Sequence, residues 1–428
     1  TTPAGESYKN ARKNINETVL CDKRNNDFNY VIINQSCNAM IQRITSASDM
    51  LPLVSDDLLK EAQYFHLTIA LWLTYGFEFN PEDPIHKNLA DQIIVVENKI
   101  TKVRSHVQNS IDYLPGPLRF VLGLFSDRNR ELQELYNVRE GYLRMFYEYA
   151  KKLHEDIKSG ELLTRHDDYE KTINKIEDMK KSLMYNYFED TNTRLTTGEI
   201  TSECLTMVSA GLDNTPLNFK YGIHQLVNYH PEMWHTAYSE LVEAYDGDVK
   251  RAYNECGSDM RCEYIKAIVQ ETLRLFTVLP MALPRETTSN VIYQNVVIPK
   301  GTTLFMNCWA GNHDERKFPD PMTFRPERWL TTVVTESFQE KTVVDTTMRH
   351  FAFGIGCRMC LGNNFAIREL YVLFCKLILK FEPVPATGLV PTDNPLALNS
   401  YPESLAIEPV PFNIVLRLRE HAGNGTPA

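Results

Sequence analysis

The sequence lacks the patterns that define several large classes of protein. It has no run of 18 apolar residues, so hydropathy predicts no membrane-spanning helix among its 428 residues. It has no internal repeat, which argues against solenoids and propellers. It has no Gly-x-Gly-x-x-Gly turn, which excludes a Rossmann-type dinucleotide site. Lys and Arg number 45 against 55 Asp and Glu, and the net charge of −10 argues against nucleic acid as the main partner.

Cysteine is present, but its spacing is not typical of a disulfide framework. The nine cysteines are an odd number at irregular spacing, so we expect reduced thiols on the cytosolic side of any membrane. Apolar residues make up 43% of the chain, which is enough to bury a large core.

The predicted fold class is mainly α with a minor β-sheet part. Most of the chain has helical spacing, and the apolar window from Tyr64 to Phe77 predicts a buried helix. Short strand-like pieces appear only later. Residues 290–297 alternate, a Pro-Lys-Gly turn follows, and residues 302–307 are apolar, which predicts a hairpin. Residues 412–418 alternate and predict a final strand.

The most informative stretch runs from Phe353 to Gly362 and reads FGIGCRMCLG. Its glycines permit a tightly turned loop, and the apolar spacing from Asn364 to Phe381 predicts a helix directly after it. Cys360 would then lie near a helix N-terminus, where the macrodipole favours an anion. A thiolate held in this way is a good axial ligand for haem iron.

The residues alone leave two other interpretations of this loop open. It could be a structural loop with two buried cysteines, or Cys357 and Cys360 could form a zinc or redox dithiol motif. A zinc site needs four ligands, and the sequence has no second C-x-x-C to complete the set. A redox dithiol needs a βαβ context, which the preceding residues do not provide.

The loop resembles the haem-binding signature of the cytochrome P450 family, Phe-x-x-Gly-x-Arg-x-Cys-x-Gly. Phe353, Gly356, Arg358, Cys360 and Gly362 fill its fixed positions. The resemblance implies haem (iron protoporphyrin IX) as cofactor, Cys360 as the iron ligand and the other four as haem-binding residues. It also implies the fold of that family, with residues 1–428 as a single catalytic domain.

A second constellation is Glu271 and Arg274, which lie on one face of a helix that its apolar neighbours predict to be buried. A buried Glu and Arg must be paired, because burying either charge alone is very costly. The family pairs its Glu-x-x-Arg helix with a later Pro-Glu-Arg segment, and Arg328 matches that position. The resemblance therefore implies a structural ionic cluster of these three residues that locks the haem-binding core.

A third constellation ends at Pro216. Gly211 lies in mid-helix, and Pro216 cannot donate to the carbonyl of Leu212, so we expect a kink or a widened turn near Gly211. A widened helix beside Asp213 would make a polar notch with room for O₂ and water over a haem.

The family has Ala/Gly-Gly-x-Asp/Glu-Thr in this place, and Ala210, Gly211 and Asp213 match it. The resemblance implies that Ala210 and Gly211 border the haem. The usual threonine supports proton delivery, but here the position holds Asn214, with Thr215 one residue later. Asn can hold a water but has no hydroxyl, and Thr215 lies about 100° further round the helix. We expect Asp213, with Asn214 or Thr215, to organise the waters that deliver protons.

Arg285 ends a Leu-Pro-Arg segment where the family often has a basic residue that binds a haem propionate. The resemblance implies that Arg285 and Arg358 share this role, and arginine suits it because its guanidinium binds a carboxylate through two hydrogen bonds. The simpler alternative for Arg285 is a surface arginine on a strand.

The spacing from Asp213 to Glu271 is similar to that of the eukaryotic, membrane-bound branch, but the part before Asp213 is shorter than in that branch. We therefore expect an incomplete member that lacks its N-terminal anchor and first strands. The branch implies the cytoplasmic face of the endoplasmic reticulum membrane. It also implies electrons from a separate protein, NADPH-cytochrome P450 reductase or cytochrome b5.

Several stretches resemble fungal phenylacetate hydroxylases, namely residues 209–213 with Pro216, 271–285, 305–310 and 357–371, and Asn214 departs from that likeness. That group hydroxylates an aromatic ring bearing an acetic acid side chain. By family position, with plain core packing as the alternative, the substrate-pocket candidates are Leu205, Ser209, Val278, Leu279, Met281, Ala282, Ser400 and Tyr401. Two other functions stay open. One is a haem-thiolate oxidase that couples phenols or rearranges its substrate without oxygen insertion, which Asn214 would suit, and the other is a non-catalytic haem-binding protein.

Overall fold

The computed structural model describes residues 5–20, 22–46, 52–103, 105, 114, 116–118, 128–164, 169–191, 195–334, 339–384 and 390–419. The chain separates into two compact units. The first comprises Thr1–Ile32 and Gln63–Asp213, and the second comprises Ile33–Ala62 and Asn214–Ala428.

Helices dominate the described chain and confirm the predicted fold class. The helices that begin before residue 200 are α1 Glu6–Ile15, α2 Asp22–Ser46, α3 Ser55–Tyr75, α4 Pro84–Val103, α5 Arg128–Ser159, α6 Glu161–Thr164, α7 Tyr169–Met179, α8 Leu183–Glu189 and α9 Thr197–His224. Those that follow are α10 Pro231–Glu243, α11 Val249–Asp259, α12 Glu263–Phe276, α13 Cys308–Asn312 and α14 Asn363–Lys380. Asn16–Leu20 and Gln225–Tyr229 are π-helical, and Pro326–Trp329 and Gly356–Arg358 are 3₁₀ turns.

The window from Tyr64 to Phe77 forms most of α3, as predicted, and its Leu67 and Leu71 are fully buried. The helix ends at Tyr75 and is followed by Gly76, whose φ of +65° lies in the left-handed region that favours glycine. None of the described helices is both long and apolar enough to cross a bilayer.

The sheets are small and antiparallel. Three strands, β1 Pro52–Val54, β9 Asn413–Leu418 and β8 Phe381–Val384, pair in that order within the second unit. The remaining pairs are β2 Arg285–Glu286 with β5 Thr303–Leu304, β3 Val291–Tyr293 with β4 Val296–Ile298, and β6 Leu330–Val334 with β7 Glu340–Val344. Strand β9 confirms the predicted final strand, and Val54 lies opposite Asn413 in its register.

The predicted hairpin between residues 290–297 and 302–307 was wrong. The first run folds back on itself, because Gln294 and Asn295 adopt φ values of +47° and +64° and form a two-residue turn. Consecutive left-handed residues are the geometry of the tight hairpin turn whose twist matches its strands. The second run instead supplies β5, which pairs with the strand that begins at Arg285.

Candidate active site

The loop that carries Cys360 is folded by its own backbone. Gly354 and Gly356 have φ values of +72° and +69°, which side chains rarely tolerate. The N–H of Cys360 donates to the carbonyl of Phe353 at 2.9 Å, so the chain turns back on itself before α14 begins at Asn363. The predicted helix after the loop is confirmed, and Cys360 lies just before its first turn.

The chemistry of the loop fits a haem ligand. Cys357 and Cys360 are both exposed, and none of the cysteines in the described ranges forms a disulfide, while Cys21 lies outside those ranges. No group of three or more potential ligand side chains among the described residues could hold a metal ion. At Gly362 the φ of −87° needs no glycine, and no described atom would lie within 4 Å of an added Cβ. Small residues beside an exposed thiol leave the backbone open to a flat group.

Two arginines lie together next to this loop. Arg285 begins β2, and its guanidinium donates to the carbonyl of Arg358 at 3.5 Å. Both residues belong to the second unit. The guanidinium of Arg285 therefore reaches the backbone of Arg358, and an arginine guanidinium suits a haem propionate because it binds a carboxylate through two hydrogen bonds.

The ionic cluster is present and buried. On α12, Arg274 donates through Nε and Nη2 to the two carboxylate oxygens of Glu271, each at 2.8 Å, and both side chains are fully buried. Arg328 donates from Nε to Glu271 at 3.0 Å, and the indole of Trp329 donates to it at 2.8 Å. Burial raises the pKa of Glu271, but the hydrogen bonds and charge of Arg274 outweigh it, so the pKa is lowered overall. The carboxylate is ionised and fully satisfied.

Asn312 links this cluster to the Cys360 loop, and sequence reasoning missed it. Its carbonyl accepts from Arg274 at 2.9 Å, and its side-chain oxygen accepts from the N–H of Phe351 at 2.7 Å. Its amide donates to Thr277 at 2.8 Å, just past the end of α12. A single Asn in a five-residue helix gives no sequence signal, because its partners come from three distant segments.

Seven of the predicted site residues lie along α9, five of them in the first unit. Leu205, Ser209 and Asp213 are partly buried, Ala210 is exposed, and Gly211 packs against His66 of α3. A Cβ on Gly211 would lie 2.0 Å from the His66 ring, so the glycine is required by close packing inside this unit. His66 itself gave no sequence signal, because a lone histidine in an apolar helix is usually a core residue.

The widened turn predicted near Gly211 was misplaced. Helix α9 is continuous from Thr197 to His224 despite Pro216, and the π-helical turn lies at Gln225–Tyr229. There the N–H of His230 donates to the carbonyl of Gln225 at 2.8 Å, and Pro231 then begins α10. Pro216 removes only one donor, whereas Pro231 prevents the helix from continuing.

In the second unit, Asn214 and Thr215 have different surroundings. Thr215 is buried, and its hydroxyl donates to Glu369 of α14 at 3.2 Å. Asn214 is partly buried, and its carbonyl accepts from the side chain of Asn218 at 2.7 Å. The Thr215 hydroxyl therefore bonds the helix that follows the Cys360 loop, and Asn214 keeps its side-chain amide on a different side of α9.

The remaining substrate-pocket candidates, all in the second unit, come from two neighbouring segments. Val278 is buried, and its carbonyl accepts from the N–H of Ile407 at 2.9 Å. The chain between Ser400 and Ile407 thus lies beside the segment after α12. The other candidates range from partly buried to exposed: Leu279, Met281, Ala282, Ser400 and Tyr401.

Comparison with known proteins identifies the family. The sequence model described as Cytochrome P450 matches residues 1–407. The chain belongs to the cytochrome P450 family. Its haem is the cofactor that the Cys360 loop predicts, and the family assignment made from the motifs is confirmed. A zebra fish cytochrome P450 solved with abiraterone matches with a TM-score of 0.68 at 18% identity, covering 98% of this chain and 83% of that one.

Two curated fungal relatives from Emericella nidulans show the sequence likeness. Phenylacetate 2-hydroxylase is 33% identical over 84% of this chain and 62% of its own length. 3-Hydroxyphenylacetate 6-hydroxylase is 33% identical over 82% of this chain and 60% of its own length. This cytochrome P450 chain therefore spans about three fifths of the length of both relatives.

Proposed function

We propose that this protein is a haem-thiolate monooxygenase that inserts one oxygen atom from O₂ into an aromatic substrate, by ring hydroxylation of a phenylacetate-type acid. The observation that carries the proposal is Cys360, an exposed thiol on a glycine-turned loop before α14, in a chain of the cytochrome P450 family. The substrate class is supported by the names of the two fungal relatives, both hydroxylases of arylacetic acids.

The proposed roles follow the arrangement of each unit. Cys360 would ligate the iron, Phe353, Gly356 and Gly362 would shape the loop behind it, and Arg285 and Arg358 would bind the propionates. When bound, haem supplies the activation of O₂ and the oxygen transfer. Ala210 and Gly211 keep the haem-binding role, and the eight pocket candidates keep the substrate-binding role, that the resemblance to the family implies. Glu271, Arg274 and Arg328 would hold the core rigid without touching substrate.

Proton delivery is assigned to Asp213 and Asn214. The carboxylate and the amide can each hold a water, and a chain of two waters can pass protons that the amide itself cannot. Thr215 is the weaker candidate, because its hydroxyl is already donated to Glu369 in the interior of the second unit.

Electrons, location and domain organisation belong to the same proposal. Because the sequence has no dinucleotide-binding turn, NADPH-cytochrome P450 reductase or cytochrome b5 would supply the electrons. The protein would lie on the cytoplasmic face of the endoplasmic reticulum membrane, as its resemblance to the eukaryotic branch of the family implies. Residues 1–428 would act as one catalytic domain, since the family match runs through 1–407 without a break.

An absorbance titration of the haem protein with phenylacetate and its hydroxylated relatives tests this function. We expect binding of the ligand to shift the Soret band from its low-spin to its high-spin position. Cys360→Ser should abolish the thiolate-ligated spectrum, and the matched Cys357→Ser should retain it. An intact haem spectrum that no arylacetate shifts would contradict the substrate class, and an unchanged spectrum in Cys360→Ser would contradict the ligand.

A second function, oxidation without oxygen insertion, is favoured by one observation. Asn214 replaces the usual threonine, and the next hydroxyl along α9, that of Thr215, is bonded to Glu369. Phenol coupling depends less on controlled proton delivery than oxygen insertion does. Product mass separates the two, since hydroxylation adds one oxygen atom and coupling removes hydrogens. Substrate-dependent NADPH consumption with a reductase would exclude a non-catalytic haem-binding protein.

A further inference from the structure

The C-terminal loop, defined here as residues 391–412, is held at both ends by buried side chains of α9. All of the residues involved belong to the second unit. The loop contains Ser400 and Tyr401, two of the proposed substrate-facing residues. The contacts that fix the position of this loop therefore bear on the substrate specificity of the proposed oxygenase.

The first end of the loop is bound through its main-chain carbonyls. The hydroxyl of Tyr221 donates to the carbonyl of Asp393 at 2.8 Å, and His224 Nε2 lies 3.3 Å from the carbonyl of Thr392. Gln225 donates to the Tyr221 hydroxyl at 2.8 Å and orients it. The three side chains are buried, so these contacts are shielded from competition by water.

The second end of the loop is bound by a buried cation. Lys220 has 1% of its surface exposed, yet its ammonium donates to the carbonyl of Pro409 at 2.9 Å and to the carboxylate of Asp56 at 2.7 Å. Three residues on, the N–H of Phe412 donates to Ser55 at 2.9 Å. The anchor thus joins α9, the start of α3 and the end of the loop.

A lysine in this position is not explained by packing. An apolar side chain would fill the same volume without the cost of burying an ammonium group. Burial lowers the pKa of Lys220 and the Asp56 carboxylate opposes that effect, so the charge is held by its partners. Only a donor that reaches a carbonyl and a carboxylate at once makes both contacts, which gives the residue a positioning function.

Hydrogen bonds within the loop connect Pro409, which Lys220 contacts, to the proposed substrate-facing residues Ser400 and Tyr401. Pro409 is bridged to Asn399, whose side-chain oxygen accepts from the N–H groups of Tyr401 and Glu408, both at 3.1 Å. The N–H of Ser400 donates to the carbonyl of Glu408 at 2.7 Å. A displacement at Pro409 therefore moves Ser400 and Tyr401 through short, rigid hydrogen bonds.

We propose that Lys220 is a positioning residue that sets the placement of the 391–412 loop, and through Ser400 and Tyr401 selects which aromatic ligands the site accepts. The inference rests on the proposed function for the identity of those ligands. The contacts by which Lys220 holds the loop do not depend on the proposed function, and their effect can be measured without any substrate.

The test compares Lys220→Met with Lys376→Met in the haem-loaded protein. Lys376 is equally buried in α14, but its contacts are to Asn38, to the carbonyl of Asn34 and to the ring of Tyr253. Both variants replace a buried ammonium group by an apolar side chain of similar length, so the effect of that replacement by itself is common to the two. We expect Lys220→Met alone to increase amide hydrogen exchange across residues 396–411. Equal exchange in this segment in the two variants would overturn the anchor.

Ligand selection is the second readout. We expect Lys220→Met to change the ratio of the dissociation constants of phenylacetate and a bulkier ring-substituted phenylacetate by about tenfold, with Lys376→Met leaving it unchanged. An unchanged ratio despite faster exchange would overturn the specificity role. If the wild type binds no arylacetate, the proposed function fails, and the same comparison is made with imidazole and 1-phenylimidazole, which need only an accessible haem. If Lys220→Met does not retain haem, Asp56→Asn at the half-exposed partner should produce the same changes at smaller amplitude.

Discussion

Replacing Arg274 by Gln should remove much of the stability of the protein. The substitution deletes two hydrogen bonds of 2.8 Å to Glu271, and it deletes donors to the carbonyls of Asn312 at 2.9 Å and Pro321 at 2.8 Å. Glu271 is left fully buried with only Arg328 as a charged partner. Breaking a buried pair in this way costs about 3 to 5 kcal/mol. A typical domain has about 5 to 15 kcal/mol in total, so the loss is large.

The same helix supplies the control. Lys266 and Glu263 form an ion pair with the same spacing on α12, at 2.7 Å, but both side chains are partly exposed. Lys266→Gln should therefore cost less than about 1 kcal/mol. Urea unfolding of both variants, followed by tryptophan fluorescence and by the Soret band, gives the comparison. Because Asn312 connects Arg274 to Phe351, we also expect Arg274→Gln to lose haem before the helices melt. Equal midpoints for the two variants would refute this account of the cluster.

Three further predictions concern α9. Gly211→Ala should destabilise the protein by about 1 to 3 kcal/mol, because the added Cβ would lie 2.0 Å from the ring of His66. Thermal melting of the double variant should show that His66→Ala removes most of that penalty. Burial lowers the pKa of His224 to about 4, so the unfolded chain takes up a proton more readily than the folded one. The contribution of His224 to the free energy of unfolding is therefore fully present above about pH 6.5, and up to about 3 kcal/mol is lost as the pH falls toward 4. Urea midpoints of His224→Gln should show a weaker fall over that range. Assays of product and NADPH should show that Thr215→Val leaves the amount of product formed per NADPH unchanged and that Asn214→Ala lowers it. A decrease in Thr215→Val with no change in Asn214→Ala would reassign the proton pathway to Thr215.

The ionic cluster shows how far sequence reasoning reaches. Two charged residues one turn apart on an apolar helix can be stable only as a pair, so the sequence alone predicts that Glu271 and Arg274 are paired. The additional partners were not predictable in the same way. Trp329 and Asn312 act through an indole N–H and a main-chain carbonyl, groups that every Trp and every residue possess.

The mistaken hairpin and the misplaced wide turn have a common cause. Alternation of apolar residues identified strand-forming sequence at 290–297 but not the point where it reverses, because Gln294 and Asn295 reach the left-handed region without a glycine. Pro216 was given more weight than it has in the structure, since a long, well-packed helix tolerates the loss of one donor. The local sequence identified both segments, but packing in the folded chain determined where each one turns.

The sequence by itself determined the family and the fold class, and it predicts Cys360 as the haem ligand. Those conclusions depend on residue identities at fixed short spacing, which can be compared with a family signature without knowledge of the fold. Only the tertiary structure decided that Gly211 makes room for His66, that Thr215 bonds Glu369, and that Lys220 holds Pro409 across 189 positions of sequence. Such contacts join residues that are far apart along the chain, and their energies come from burial and exclusion of water, which no local pattern encodes.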